Sequence, residues 1–122
     1  MVSYFEQSLD QKLQDRITRE NYRGYIPLGF FSPNNASQMP DRYEGYKLHL
    51  EVDASDGICA ACDLYGPNKW PMSQPHMRAA ILNYWRDCDA LTTRLLKILA
   101  GILQIDASSL LDAFDKSLTN MT

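Results

Sequence analysis

From Met77 to Ile102 the residues Met77, Ile81, Tyr84, Cys88, Leu91, Leu95, Ile98 and Ile102 fall alternately four and three positions apart. That spacing returns to one face of an α-helix with every turn, whereas a strand repeats every second residue. It predicts a helix of about seven turns, roughly 40 Å long at 1.5 Å per residue. A short chain carrying such a rod must arrange everything else around it. Prolines mark where the rod begins. Pro71 and Pro75 lack the amide proton that a helix interior needs, Pro75 suits a first turn, and Ser73 is placed to cap it. The hexamer Gly66-Pro67-Asn68-Lys69-Trp70-Pro71 therefore reads as a turn that ends one conformation and delivers the chain into the helix, with Trp70 packed beside it.

The remaining elements are shorter. Leu9, Leu13 and Ile17 lie four apart in Ser8 to Arg19 and form one apolar stripe on a short helix, which Gly24 and Pro27 bring to an end. Residues 30 to 45 are turn formers almost throughout and read as a long loop. Residues 46 to 52 alternate, with Tyr46, Leu48, Leu50 and Val52 on one side and Lys47, His49 and Glu51 on the other. This is the strong strand signal, and no convincing partner for it is evident elsewhere. Residues 58 to 71 are irregular and apolar. Asp106 caps a last helix whose buried side is Leu110, Leu111, Phe114 and Leu118. The expected fold is mainly α with a minor β element: one long central helix, two shorter helices, long loops and one strand.

A chain of 122 residues is one domain at most. Its net charge of −3 and lack of a basic stripe argue against nucleic acid. No apolar run approaches a membrane span, and the N-terminus lacks the pattern of a signal peptide. With three cysteines, an odd number, the expected setting is cytoplasmic with reduced thiols.

Read in order, the segments 22 to 29 (YRGYIPLG), 41 to 48 (DRYEGYKL), 66 to 71 (GPNKWP) and 77 to 106 resemble the N-terminal region of the 2-oxoglutarate/Fe(II)-dependent dioxygenases of the isopenicillin N synthase-like family. Lys12, Gly24-Tyr25, Glu44-Gly45-Tyr46, Gly66 to Pro71 and the helix with Tyr84 and Leu95-Leu96 carry the resemblance, which covers nearly the whole chain. The loop-rich style is similar to fungal members from secondary metabolism. The family keeps its iron ligands, a His-x-Asp and a distant His, and the Arg-x-Ser that holds 2-oxoglutarate, in a double-stranded β-helix. None of these aligns with anything in this sequence. The resemblance thus implies a single truncated N-terminal-like domain over residues 1–122, with both flanks of the family region absent and no cofactor of its own. Fe(II) and 2-oxoglutarate would come only with a partner that supplies the barrel. By position it also implies that Tyr22, Arg23, Tyr25 and Tyr46, with Ile26 beside them, form a substrate wall. Aromatics with one arginine suit an organic acid or a flat apolar molecule, and the competing reading is ordinary tyrosine packing.

Three other constellations are weighed on chemistry alone. The two histidines and one acidic neighbour, His49, Glu51 and His76, are formally the inventory of a facial iron triad. The competing reading is a solvated strand edge and an exposed histidine at a helix start. Cys59-x-x-Cys62 with Cys88 and His76 could form a zinc set, against the plainer reading of small buried residues. Asp41 and Glu44 could serve as acid-base groups beside the tyrosines. The expected function is a non-catalytic dioxygenase-like domain, acting through self-association or as partner of a barrel-bearing oxygenase, since the long helix needs cover for its apolar face. The alternative is a small stand-alone non-redox enzyme, a cyclase or isomerase, binding an apolar metabolite.

Overall fold

The computed structural model describes residues 2–32 and 39–122. Its elements are α1 (Val2–Phe5), α2 (Leu9–Leu13), β1 (Gly24–Ile26), β2 (Gly45–His49), α3 (Gly57–Ala61), α4 (Pro75–Leu103), α5 (Ala107–Asp112) and β3 (Asn120–Met121). The protein is mainly helical, with a small antiparallel sheet in the order β1-β2-β3. The chain divides into two units, Met1–Ser73 with Leu118–Thr122, and Gln74–Ser117.

The first unit is built on β2. Tyr46 faces Tyr25 across the β1 pair, and Leu48 faces Met121 across the β3 pair. The strand expected to stand alone is thus the centre of a sheet. Its partners escaped the pattern because β1 has three residues, all buried, and β3 has two. Neither is long enough to show alternation. The buried core is Tyr4, Ile17, Tyr25, Ile26, Tyr46 and Leu48. The Tyr4 ring meets Tyr46 edge-on at 5.0 Å and Tyr25 at 6.2 Å, a geometry that aromatic quadrupoles favour.

Helix α2 begins where expected. The Ser8 side chain accepts from the Gln11 amide, and Gln11 reaches back to the Ser8 amide, a full capping box. The helix stops at Leu13 rather than continuing to Arg19. From there the backbone turns and pairs with β1: Tyr25 N–H donates to Asp15 O at 2.7 Å, and Ile17 N–H donates to Tyr25 O at 2.7 Å. The Leu9, Leu13, Ile17 stripe is therefore split. Ile17 is in the core, Leu13 is half-buried and Leu9 is exposed.

The loop read over residues 30 to 45 is pinned at both ends. Gly29 N–H donates to Asp41 O at 3.0 Å, and Asp41 N–H donates to Phe31 O at 3.0 Å. Its middle, residues 33–38, lies outside the described residues. The segment read as irregular before residue 66 contains α3, capped by Asp56 on the Ile58 amide. At five residues it is too short for a legible repeat.

The second unit is α4 and α5. Helix α4 runs Pro75–Leu103, close to the span read from the apolar repeat. Gln74, not Ser73, is the N-cap residue, and no side chain caps there. The helix ends on Gln104 in the left-handed conformation at φ 55°, with Ile105 N–H donating to Ala100 O at 3.1 Å. Asp106 caps α5 through the Ser109 amide, as read from the sequence. Helix α5 ends at Asp112, so Phe114 lies beyond it and is exposed. Along α4 the buried residues are Met77, Ile81, Trp85 and Ala100. Trp85, not Tyr84, is buried, because the buried residues Met77, Ile81 and Trp85 follow one i, i+4 row of the helix surface rather than the alternating four-three repeat. No described helix is long and apolar enough to cross a membrane.

Candidate functional site

Two polar clusters flank β2 within the first unit. The first lies around Glu44. Its Oε2 accepts from Lys12 Nζ at 2.7 Å and from Tyr25 Oη at 2.5 Å. Lys12 Nζ also donates to Phe5 O at 3.1 Å and lies 5.4 Å from the Tyr25 ring centroid, so an ammonium with only 7% of its residue surface exposed meets two oxygen acceptors and an aromatic face. The Lys12 and Tyr25 hydrogen bonds hold the Glu44 carboxyl below its ordinary range. Burial, then the Glu44 bond, pushes the Tyr25 phenol up to about 12, so Tyr25 remains a proton donor at neutral pH. A cavity of about 490 Å³ opens beside this cluster, with Leu9, Leu13 and Leu28 among its apolar lining.

The second cluster is made by the hexamer that opens the path to α4. Asn68 uses its side-chain amide as a missing strand would use its backbone. Its Oδ1 accepts from His49 N–H at 2.9 Å and its Nδ2 donates to His49 O at 2.7 Å. The same Nδ2 and the Asn68 amide donate to Glu51 Oε2 at 2.6 and 3.2 Å. Trp70 Nε1 donates to Glu51 Oε1 at 3.1 Å, and Lys69 O accepts from Tyr46 Oη at 2.7 Å. The turn is thus a clasp that extends the hydrogen bonding of β2 past the end of β1 and covers an otherwise open edge. In sequence Asn68 and Lys69 belong to the hexamer that reads as a turn, and their pairing with β2 goes beyond that role. The available signal was an asparagine in a proline-flanked turn, a residue suited to mimic backbone pairing.

The sequence candidates separate. Tyr25 and Tyr46 are core residues whose hydroxyls are bonded to Glu44 and Lys69. Tyr22 and Arg23 line a different cavity, of about 660 Å³, with His49, Cys59, Leu64 and Tyr65. Glu44 belongs to the Lys12 cluster, and Asp41 joins the backbone ladder at the loop base. His49 is buried rather than on a solvated edge, and its Nε2 lies 3.2 Å from Tyr22 O. Glu51 is taken up by Asn68 and Trp70, while His76 is exposed on α4 in the other unit. Among the described residues no three His, Cys, Asp or Glu side chains gather closely enough to hold a metal ion. Cys59, Cys62 and Cys88 are free and half-buried.

Burial, with the Arg23 and Lys47 charges, lowers the His49 pKa below its ordinary 6.5. The unfolded chain therefore binds a proton that the folded chain does not. The stability this group contributes is complete above pH 6.5 and is lost as pH falls from there through the folded value. The melting temperature is expected to drop between pH 7 and pH 5, and to drop less in His49→Gln. Parallel pH profiles for the two proteins would show that His49 is not the group responsible.

No protein-family model matches the chain, and no curated protein matches it.

Proposed function

We propose that the chain is a non-catalytic, dioxygenase-like domain of the secondary-metabolism type, which works by association through α4. The observation that carries this reading is the apolar stripe on the later half of that helix. Leu91, Leu95, Ile98 and Ile102 are each 56 to 73% exposed, and their four-three spacing aligns them on one face. Contiguous apolar surface of this kind is unusual on an isolated protein and is the common mark of an interface. The spacing is that of helices that pair along a seam. The occupant is a second copy of the chain or the surface of a barrel-bearing 2-oxoglutarate/Fe(II) oxygenase. Neither the His-x-Asp nor the Arg-x-Ser pattern of that barrel occurs among these 122 residues, so Fe(II) and 2-oxoglutarate chemistry would be the partner's contribution.

Light scattering on the purified chain over a range of concentrations tests this. A dimer or larger species is expected, and Leu95→Lys with Ile98→Lys should return it to a monomer with helix content unchanged by circular dichroism. A wild-type monomer at every concentration that also fails to co-elute with such an oxygenase sinks the proposal.

A further inference from the structure

The cavity beside Arg23 holds an unusual concentration of unmet bonding capacity. Arg23 is only 3% exposed. Its Nη1 donates to Asn21 O at 2.9 Å and its Nη2 to Leu64 O at 2.7 Å, so both terminal nitrogens rest on neutral carbonyls. Among the described residues no carboxylate lies within ion-pair distance of it; Glu51 acts on it only through space, and Glu20, Asp63 and Arg19 also line the cavity. Its Nε has no hydrogen-bond partner. A buried cation in this condition is costly unless something compensates it.

His49, 8% exposed, lines the same cavity. Its Nε2 faces the Tyr22 carbonyl, which can only accept, so Nε2 carries the ring proton. In the neutral ring Nδ1 is then a bare acceptor, and it too has no partner. One orphan donor on a cation and one orphan acceptor thus belong to two residues that line the same cavity, and both atoms are enclosed. Tyr22, between Asn21 and Arg23, is held at φ 53°. Left-handed backbone is unfavourable for a bulky residue, and such strain concentrates where a wall must fit a ligand.

We propose that this cavity binds a 2-hydroxycarboxylic acid with an apolar or aromatic tail. The carboxylate accepts from Arg23 Nε–H and offsets the guanidinium charge. The adjacent hydroxyl donates to His49 Nδ1. The tail lies against Tyr22, Leu64 and Tyr65, and the volume of about 660 Å³ is in the range of small-molecule sites. Because Nε and Nδ1 are both enclosed, engagement requires a local opening of the wall to which Tyr22, Arg23 and His49 contribute. A 2-oxo acid offers no donor to Nδ1 and a simple carboxylic acid offers only half the match, so the hydroxyl sets the specificity. This site lies in the first unit and does not depend on association through α4.

The test is a titration of the whole ¹⁵N-labelled chain with 3-phenyllactate, alongside 3-phenylpropionate, which lacks the hydroxyl. Saturable binding is expected, with a shift of the His49 Nδ1 resonance and affinity about tenfold tighter for the hydroxy acid. Arg23→Gln should abolish it. Because Arg23 also ties down Leu64, Cys59→Phe provides a second variant that narrows the cavity without touching the polar pair, and it should lose binding while remaining folded. No saturable shift up to roughly 10 mM would overturn the assignment and leave water as the partner of both atoms. Equal affinity for the two acids would overturn it as well.

Discussion

Glu44→Ala is expected to destabilise the protein by about 2–3 kcal/mol, because it leaves a largely buried lysine without its carboxylate, with only Phe5 O and the water of the adjoining cavity to replace it. The Lys12 side chain is 9% exposed and the Glu44 side chain 32%. That difference makes the pair asymmetric. Lys12→Met leaves Glu44 bonded to Tyr25 and partly hydrated, and should cost about 1 kcal/mol. The double variant, with neither charge present, should recover most of the loss of Glu44→Ala. Urea unfolding at pH 7 reads all three. A loss of less than about 1 kcal/mol for Glu44→Ala would mean that the pair behaves as a screened surface bridge. The depressed Glu44 pKa adds a pH signature. Its contribution is complete above the ordinary carboxylate value of 4.5 and is lost as pH falls through the folded value. Wild type should lose stability on that limb faster than the double variant.

The second large effect is expected at Gly24. Its φ is +113°, a conformation that side chains resist, and a Cβ built there would lie 2.2 Å from Asp15 O. Asp15 O is the acceptor for Tyr25 N–H, so the obstacle is backbone held by the sheet itself. Gly24→Ala must push the strand away from the segment after α2, and should cost about 3 kcal/mol or more. Gly101→Ala is the matching control. Nothing lies within 4 Å of a Cβ there, and the residue is inside α4. It should raise stability by about 0.5–1 kcal/mol. Thermal melts of the two variants with opposite signs are the expected result; a neutral Gly24→Ala would mean that the β1 contact is loose.

The elements that were legible in the sequence are those whose signal is local. Helix α4 announces itself by repeat and by Pro75, α5 by the Asp106 cap, and β2 by alternation. What was not legible depends on distant partners. Nothing in the sequence around Lys12 marks it as buried. It is buried because Glu44, 32 residues later, receives it. His49 reads as the polar side of a strand and is enclosed because Asn68 and Tyr22 close over its backbone and ring. The resemblance implies one wall of Tyr22, Arg23, Tyr25 and Tyr46, yet Tyr25 lies in the core while Arg23, just ahead of β1, lines another cavity. Arg23 precedes β1 and lies between two left-handed residues, Tyr22 at φ 53° and Gly24 at φ 113°, so the backbone turns between it and Tyr25.

Strand β3 gives the folding of this chain a definite order. Leu48 pairs with Met121, and all of α4 and α5 is synthesised between them. On a ribosome the β1–β2 hairpin and its Asn68 clasp can form while the helices are still being made, but the third strand arrives last. Closing so long a loop is entropically slow, whereas the contacts within the helical unit are local and fast. The sheet should therefore pass through a two-stranded stage in which the outer edge of β2 is bare, and it is at that stage, rather than in the finished protein, that the chain is most open to mispairing with another nascent copy.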